Sequence, residues 1–79
     1  MRAKVHVFLK EGVLDVQGKA VEQALHGLGW ADVGHVRVGK TIEFELAAGD
    51  KAKAEAQVQA MCEKLLANTV IESYRVEVG

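Results

Sequence analysis

The sequence predicts an α+β fold, and three observations lead to it. Four segments alternate apolar and polar residues, as half-buried strands do, and two longer segments repeat apolar residues at helical spacing. Along the 79 residues these segments follow the order strand, helix, strand, strand, helix, strand. Right-handed crossovers put both helices on the same face of one sheet. We therefore expect a single domain, residues 1–79, with a ferredoxin-like βαββαβ fold: a four-stranded antiparallel sheet with two helices on one face.

The first helix is predicted over residues 16–28. Asp15 precedes it and suits the N-cap, because its carboxylate can accept a hydrogen bond from a first-turn amide. Gly29 follows at the position where a left-handed residue commonly ends a helix, and Trp30 is expected to fold back towards Leu25. Four apolar residues share one side of this helix: Val21, Ala24, Leu25 and Leu28. We expect that side to lie on the core.

The strands are predicted over residues 4–10, 33–38, 41–46 and 70–78. In the first strand, Val5, Val7 and Leu9 point to one side and are expected to be buried. Gly39 and Lys40 offer a tight type II′ turn between the second and third strands. The pattern therefore predicts that these two strands form a hairpin.

The second helix is predicted over residues 51–67, where several alanines favour helix. The run Ala48-Gly49-Asp50 ends the preceding strand and supplies Asp50 as the N-cap. Asn68 can take the left-handed conformation at the other end. The apolar positions expected to face the core are Ala54, Val58, Met61, Cys62 and Leu65.

The second face of the sheet is expected to remain open, and it mixes both signs of charge with one aromatic side chain. The residues assigned to it are Lys4, His6, Phe8, His35, Arg37, Glu43, Glu45, Arg75 and Glu77. Such a face fits either a solvated surface with cross-strand ion pairs or a subunit interface. The small size of the domain and the outward Phe8 favour self-association.

Charge and composition argue against several classes of partner. Ten basic and eleven acidic residues give a formal net charge of -1. Because neither sign is clustered, the sequence indicates neither nucleic acid nor a membrane as a partner. No apolar run approaches the roughly 18 residues of a membrane span, and the first residues do not begin a signal peptide. The single cysteine, Cys62, allows no internal disulfide. We therefore expect a cytoplasmic location.

No spacing in the sequence suggests a catalytic group. His6 and His35 fall on predicted strands, and His26 follows Glu22 by one helical turn, which indicates a solvated pair. Cys62 lies on the inward side of the second helix, as a small buried thiol does. Paired cysteines, the usual metal ligands on this fold, are missing from the sequence.

Three other functions can be compared with the sequence, and two of them fit it poorly. A phosphate-binding loop needs four residues between its glycines and a Ser or Thr after its lysine, but five separate Gly12 from Gly18, and Ala20 follows the lysine. RNA binding on the sheet would meet two carboxylates on the predicted third strand. A module that senses an amino acid, with its site at residues 11–17, remains open as the alternative.

Three long segments carry a family resemblance: LKEGVLDVQGKAVEQALHGLG at residues 9–29, VRVGKTIEFEL at 36–46 and MCEKLLANTVIESYRVEV at 61–78. In this order and without insertions, they resemble the PurS subunit family of phosphoribosylformylglycinamidine synthase. Two positions depart from the family pattern, since Val16 and Thr69 stand where proline is frequent. A missing proline loosens a helix boundary without changing which side is buried.

The resemblance implies an accessory subunit of de novo purine (IMP) biosynthesis. In that family the complex converts formylglycinamide ribonucleotide to its amidine, with ATP and with ammonia drawn from glutamine. A synthetase subunit, PurL, would bind ATP and the ribonucleotide, and a glutaminase subunit, PurQ, would release the ammonia. The complex would use ATP and magnesium. PurS would bridge the two, self-associate as a dimer or tetramer, bind no cofactor or metal and contribute no catalytic residue.

The resemblance also implies where other subunits would touch the chain. Phe8 is added to the matching residues because it points outward from the first strand. The predicted contact residues are Phe8, Lys10, Glu11, Gly12, Val13, Leu14, Asp15, Gln17, Gly18, Lys19, Arg37, Gly39 and Lys40.

Overall fold

The computed structural model describes residues 1–47 and 49–79, so the predicted strand end at Ala48 lies outside the described residues. The elements are β1 (Arg2–Leu9), α1 (Val16–Gly27), β2 (Lys40–Glu45), α2 (Lys51–Met61) and β3 (Glu72–Val78). A π-helical turn, Cys62–Leu66, continues α2. The predicted α+β class is therefore confirmed, with two helices and a three-stranded sheet. No helix in the described part of the chain is long and apolar enough to cross a membrane.

The sheet has the order β2-β1-β3, and both neighbouring pairs are antiparallel. Val5 in the central strand lies opposite Ile42 on one side and Val76 on the other. The ladder continues past β2, because the Met1 amine and the Leu46 carbonyl oxygen are 2.7 Å apart. The first and last predicted strands and the predicted third strand are thus confirmed, with ends that shift by one or two residues.

The core lies between the sheet and α2. Val5, Val7, Val58 and Cys62 are the largest fully buried side chains, and Ala54 is buried with them. The opposite face is open and charged, as the alternation predicts. Its cross-strand pairs are those between Lys4 and Glu43 at 3.4 Å, Arg2 and Glu43 at 3.9 Å, and His6 and Glu77 at 3.1 Å.

The predicted strand at residues 33–38 is wrong for this chain: the segment forms no strand. Its Val36 amide donates to Oε1 of Glu22 at 3.3 Å, and its Val38 amide donates to Oδ2 of Asp15 at 2.7 Å. A hairpin closed at residues 39 and 40 needs these same amides for the strand beside it. His35 also has a φ of 54°, which interrupts an extended segment. Carboxylates on and before α1 therefore replace the predicted sheet partner, and the four-stranded sheet is corrected to three.

The predicted ends of α1 are confirmed, but its predicted packing is wrong. Asp15 caps the helix, and Gly29 ends it with a φ of 110°. Among the described residues α1 makes no extensive contact with the sheet. Its apolar side stays accessible, and Leu28 is 73% exposed. The chain's own sheet therefore does not cover this side of α1.

We call α1 and the segment 28–36 that runs back beside it the arm. His26 donates from Nε2 to the Val33 carbonyl oxygen at 2.6 Å and holds the two parts together. The arm gives the molecule extents of 49 × 24 × 14 Å and a radius of gyration of 15.9 Å. A compact chain of this length would have a radius of gyration of about 12 Å. The arm therefore projects from the sheet and α2.

The end of the second helix also differs from the prediction. The Ala67 amide donates to the Cys62 carbonyl oxygen at 3.1 Å, an i to i+5 bond that defines the π-turn. Because this turn is wider, Ala67 takes the inward position and Leu65 is left 83% exposed. Asn68 does not adopt the left-handed conformation. Instead its side chain accepts the Val70 amide at 3.2 Å and forms a tight turn into β3.

Candidate functional site at the base of the arm

The predicted contact residues meet at one place, the base of the arm. β1 ends at Leu9, a loop covers residues 10–15, and α1 starts at Val16. The segment 36–40 returns from the arm to β2 beside this loop. We call residues 10–19 and 36–40 the junction. It contains every predicted contact residue except Phe8, which lies on β1 next to it.

Asp15 connects the two halves of the junction, and it is only 6% exposed. Its Oδ1 accepts the Gly18 amide at 2.7 Å, and its Oδ2 accepts the Val38 amide at 2.7 Å. The hydrogen bond from Val38, followed by the bond from Gly18, lowers the pKa of Asp15 below its ordinary value of 3.8. The Arg37 guanidinium acts in the same direction. One carboxylate therefore caps α1 and fixes the returning segment to it.

Arg37 fastens the loop of the junction from outside. Its Nη1 donates to the Val13 carbonyl oxygen at 3.1 Å, and its Nη2 donates to the Lys10 carbonyl oxygen at 3.3 Å. Its Nε lies 4.0 Å from Oδ2 of Asp15, and the side chain is 46% exposed. The same guanidinium thus holds the loop closed and forms part of the surface.

Two glycines allow the backbones of the junction to come close together. A Cβ on Gly18 would overlap the carbonyl oxygen of Val36, and a Cβ on Gly39 would lie 2.7 Å from the carbonyl oxygen of Val7. Any side chain at either position would push the returning segment away from α1 or from β1. The junction is therefore rigid because its backbone contacts are direct.

Several apolar side chains of the junction and its neighbourhood face solvent. Leu14 is 74% exposed, Val16 is 71% exposed and Phe8 is 45% exposed. Two grooves of about 260 and 270 Å³ flank Phe8, one towards Lys40 and one towards Arg37. Exposed apolar groups on a rigid frame with a charged rim are typical of a protein contact surface.

The polar groups at the centre of the junction are already hydrogen-bonded within the chain. Two amides donate to Asp15, and three guanidinium nitrogens of Arg37 face chain oxygens. An anionic ligand such as an amino acid would have to displace one of these bonds. The geometry therefore favours a contact surface over a small-molecule pocket.

The side chains with reactive chemistry elsewhere are also held in structural contacts. The two ring nitrogens of His6 lie 3.1 Å from Oγ1 of Thr41 and 3.1 Å from Oε2 of Glu77. The hydrogen bond from His6 is the main cause that lowers the pKa of Glu77. Burial raises the pKa of the Cys62 thiol, which keeps it neutral at pH 7. Within residues 1–47 and 49–79, no group of three or more His, Cys, Asp and Glu is arranged to hold a metal ion.

Sequence reasoning missed Glu22, which it assigned to a solvated face. In the structure Glu22 accepts the Val36 amide, and this bond is the main cause that lowers the pKa of its carboxyl. The spacing of Glu22 from Asp15 in the sequence could have indicated this role. Asp15 and Glu22 stand seven residues apart, so they lie on one side of the helix two turns from each other. Two carboxylates in that arrangement can bind alternate amides of an extended segment.

Comparison with known proteins agrees with the resemblance. The family described as PurS, phosphoribosylformylglycinamidine (FGAM) synthase, matches residues 2–79. The FGAM synthase subunit PurS of Bacillus subtilis is 52% identical over 77 residues, 98% of this chain and 90% of that protein. The crystal structure of Methanocaldococcus jannaschii PurS, a subunit of formylglycinamide ribonucleotide amidotransferase, superposes with a TM-score of 0.89. It is 37% identical, and the match covers 99% of this chain and 94% of that one.

A chain in the structure of PurLQS from Thermotoga maritima is similar as well. It superposes with a TM-score of 0.87 at 34% identity, over 96% of this chain and 93% of that chain. Sequence and structure therefore agree over almost the full length, arm and junction included. The chain belongs to the PurS family of phosphoribosylformylglycinamidine (FGAM) synthase subunits.

Proposed function

We propose that this chain is the non-catalytic accessory subunit of a cytoplasmic FGAM synthase complex of purine biosynthesis. In this role it bridges a PurL synthetase subunit and a PurQ glutaminase subunit. The observation that carries the proposal is the match with a chain of the PurLQS structure from Thermotoga maritima. A chain that shares the fold over nearly its full length is suited to the same position.

The chemistry of the complex explains why such a subunit needs shape more than reactive groups. Ammonia released at one subunit has to reach another without loss to water, which calls for sealed contacts. The junction offers a rigid frame, with Leu14 and Val16 exposed on it. We propose that this surface contacts the larger subunits. ATP and magnesium would bind to the synthetase subunit and not to this chain.

A second copy of the chain is the other proposed partner. The arm carries an uncovered apolar side, and Ile42, Phe44 and Leu46 on and just after β2 are only half-buried. If the arm of one copy lies on β2 of the other, both apolar surfaces are covered, and each sheet gains a second helix beside α2. The two copies then complete between them the ferredoxin-like helix layer. The contact is reciprocal, as a two-fold interface requires.

Reconstitution tests the bridging role. Purified synthetase and glutaminase subunits are assayed for amidine formation with and without this chain, once with glutamine and once with an ammonium salt. We expect glutamine to support turnover only when the chain is present, and ammonium to support turnover in either case. If the chain changes neither reaction, the proposed function is wrong.

Arg37→Glu tests the junction as the contact surface. The change removes two donors to the loop and places a second carboxylate beside Asp15, so the loop should loosen while β1, α2 and β3 remain folded. We expect the variant to lose co-elution with the other subunits. Its far-UV circular dichroism spectrum should differ from that of the wild type by no more than the signal of α1. Lys53→Glu, the same charge reversal on α2, is the control and should co-elute like the wild type. If both variants co-elute equally with the other subunits, the junction is not the contact surface.

The amino-acid sensor remains the alternative, and a thermal shift separates it from the scaffold. A sensor is stabilised by its free ligand, because the ligand binds only the native state. We expect no change in Tm with glutamine or with a mixture of amino acids. A rise in Tm that Arg37→Glu abolishes would favour the sensor.

A further inference from the structure

The junction carries a positive charge that the chain as a whole does not. Its residues, 10–19 and 36–40, include four basic and two acidic side chains, a formal net charge of +2. The remaining residues include six basic and nine acidic side chains, a formal net charge of -3. Two segments far apart in the sequence form the junction, so the cluster exists only in the folded chain. A basic surface on an acidic protein attracts and orients an acidic partner.

Phe8 lies beside this basic surface, and its neighbours on both sides are small. In the register of β1 with β3, Phe8 is opposite Ser73. On its other side is Gly39, where a Cβ would lie 3.5 Å from the Cβ of Phe8. The ring is therefore accessible, and the residue is 45% exposed. An accessible aromatic ring of this kind can pack against an apolar side chain of another protein.

Each of the two grooves that flank Phe8 is lined by one lysine. Lys10 lines the groove of about 270 Å³, together with Arg37, and Lys40 lines the groove of about 260 Å³. Among residues 1–47 and 49–79, no carboxylate lies within ion-pair distance of either lysine ammonium group. Both ammonium groups can therefore pair with carboxylates of another protein without breaking an ion pair of this chain.

The carboxylates that line the same grooves are mostly hydrogen-bonded to backbone amides. In the groove beside Lys40, Asp15 accepts the amides of the junction described above, and Oε1 of Glu72 accepts the Asn68 amide at 2.7 Å. Glu11 is the third carboxylate, and it lines the groove beside Lys10. Amide donors offset part of the negative charge of a carboxylate. The charge that a partner meets around Phe8 is therefore mainly positive.

We propose that the surface around Phe8 binds an acidic segment of one of the two larger subunits. An apolar side chain of that segment packs on the Phe8 ring, and its carboxylates pair with Lys10 and Lys40. The inference rests on the proposed function, since it names the chemistry of the partner at the junction. Exposed charges at the rim of an interface act mainly on the rate of association, so the binding depends on salt.

Charge reversals of opposite sign test the charge of the partner. The measured quantity is the concentration of this chain that gives half-maximal glutamine-dependent turnover with the purified synthetase and glutaminase subunits. At an ionic strength of about 0.05 M, we expect Lys10→Glu and Lys40→Glu each to raise it at least about fivefold and Glu11→Lys to lower it about twofold. At about 0.5 M these differences should shrink, because salt screens exposed charges. Lys53→Glu on α2 is the control and should match the wild type.

Phe8→Thr tests the apolar part of the surface. Threonine suits a strand, so β1 should remain folded. We expect the half-maximal concentration to rise at least about fivefold, as for the loss of an aromatic anchor, and to rise equally at both ionic strengths. A loss that disappears at high ionic strength would show that the ring is not an apolar contact, and it would overturn this part of the proposal.

Other occupants of the surface give different results. If a second copy of the chain bound there, Lys10→Glu would lower the mass of the isolated chain by light scattering. If a small anion bound there, inorganic phosphate would raise the Tm of the wild type and not that of Lys10→Glu. Either result overturns the proposal, and so does a half-maximal concentration that Lys10→Glu leaves unchanged or that Glu11→Lys raises.

The same assay separates this inference from the proposed function. If the variants behave like the wild type while the chain still supports glutamine-dependent turnover, the acidic partner segment is wrong and the bridging role stands. If the wild-type chain changes neither the glutamine reaction nor the ammonium reaction, the proposed function is wrong and this inference fails with it.

Discussion

Leu28→Ala measures what the arm contributes to self-association, because this side chain contributes little to the folded chain itself. The substitution removes three carbon groups, each worth about 0.8 kcal/mol when fully buried. Since Leu28 is 73% exposed in the free chain, burial of that part in a dimer is worth about 1.8 kcal/mol per copy. A two-fold interface counts it twice, about 3.5 kcal/mol, so Kd should rise roughly 400-fold.

Sedimentation equilibrium over a dilution series measures this change. Leu65→Ala is the matched control, since Leu65 is 83% exposed but lies on the π-turn and not on the arm. We expect its Kd to stay within a few-fold of the wild type. If both variants have the wild-type Kd, the arm is not an interface; if both raise it equally, the contact is not specific to the arm.

Three further predictions concern the junction and the core. Gly18→Ala should open the junction and lower Tm by several degrees, because its Cβ would overlap the Val36 carbonyl oxygen. Gly27→Ala is the control: it has open space around it and should leave Tm unchanged or raise it. The pKa of Asp15 is lowered in the folded state, so its stabilisation is complete above the ordinary value near pH 4 and is lost as pH falls further. Urea unfolding from pH 7 to pH 2 should show a larger loss in the wild type than in Asp15→Asn, in which Glu22 and Glu77, whose pKa values are also lowered, still contribute. Cys62 should react with a thiol reagent only as fast as the chain unfolds, because it is fully buried and its pKa is raised; rapid labelling in native buffer would contradict this.

The features that the sequence predicts correctly are those set by neighbouring residues. Asp15 and Asp50 each accept an amide of the helix that follows them, at 2.7 and 3.0 Å. Alternation in β1 and β3 places Val5 and Val76 on the same face of the sheet. A cap or an alternating strand depends on a few local contacts, so its pattern is visible in a single segment.

The predictions that fail depend on competition between distant groups. The returning segment 33–38 has an alternating pattern, but its amides at residues 36 and 38 donate hydrogen bonds to Glu22 and Asp15 and not to a neighbouring strand. Leu28 has the right spacing for burial, yet a pattern cannot tell whether the covering surface belongs to the same chain. The π-turn that begins at Cys62 moves Leu65 outward by adding a residue to one turn. No residue preference in this part of the sequence predicts a π-turn.

The position of the junction links self-association to partner binding. The four largest fully buried side chains, Val5, Val7, Val58 and Cys62, all lie between the sheet and α2, so nothing in that core holds the arm. Among the described residues, hydrogen bonds made by Asp15 and Arg37 fix the arm to the sheet at the junction. A second copy that binds the arm therefore also restrains the residues proposed to contact the larger subunits. Since a ligand that binds only the ordered form stabilises it, each contact should strengthen the other through the same carboxylate.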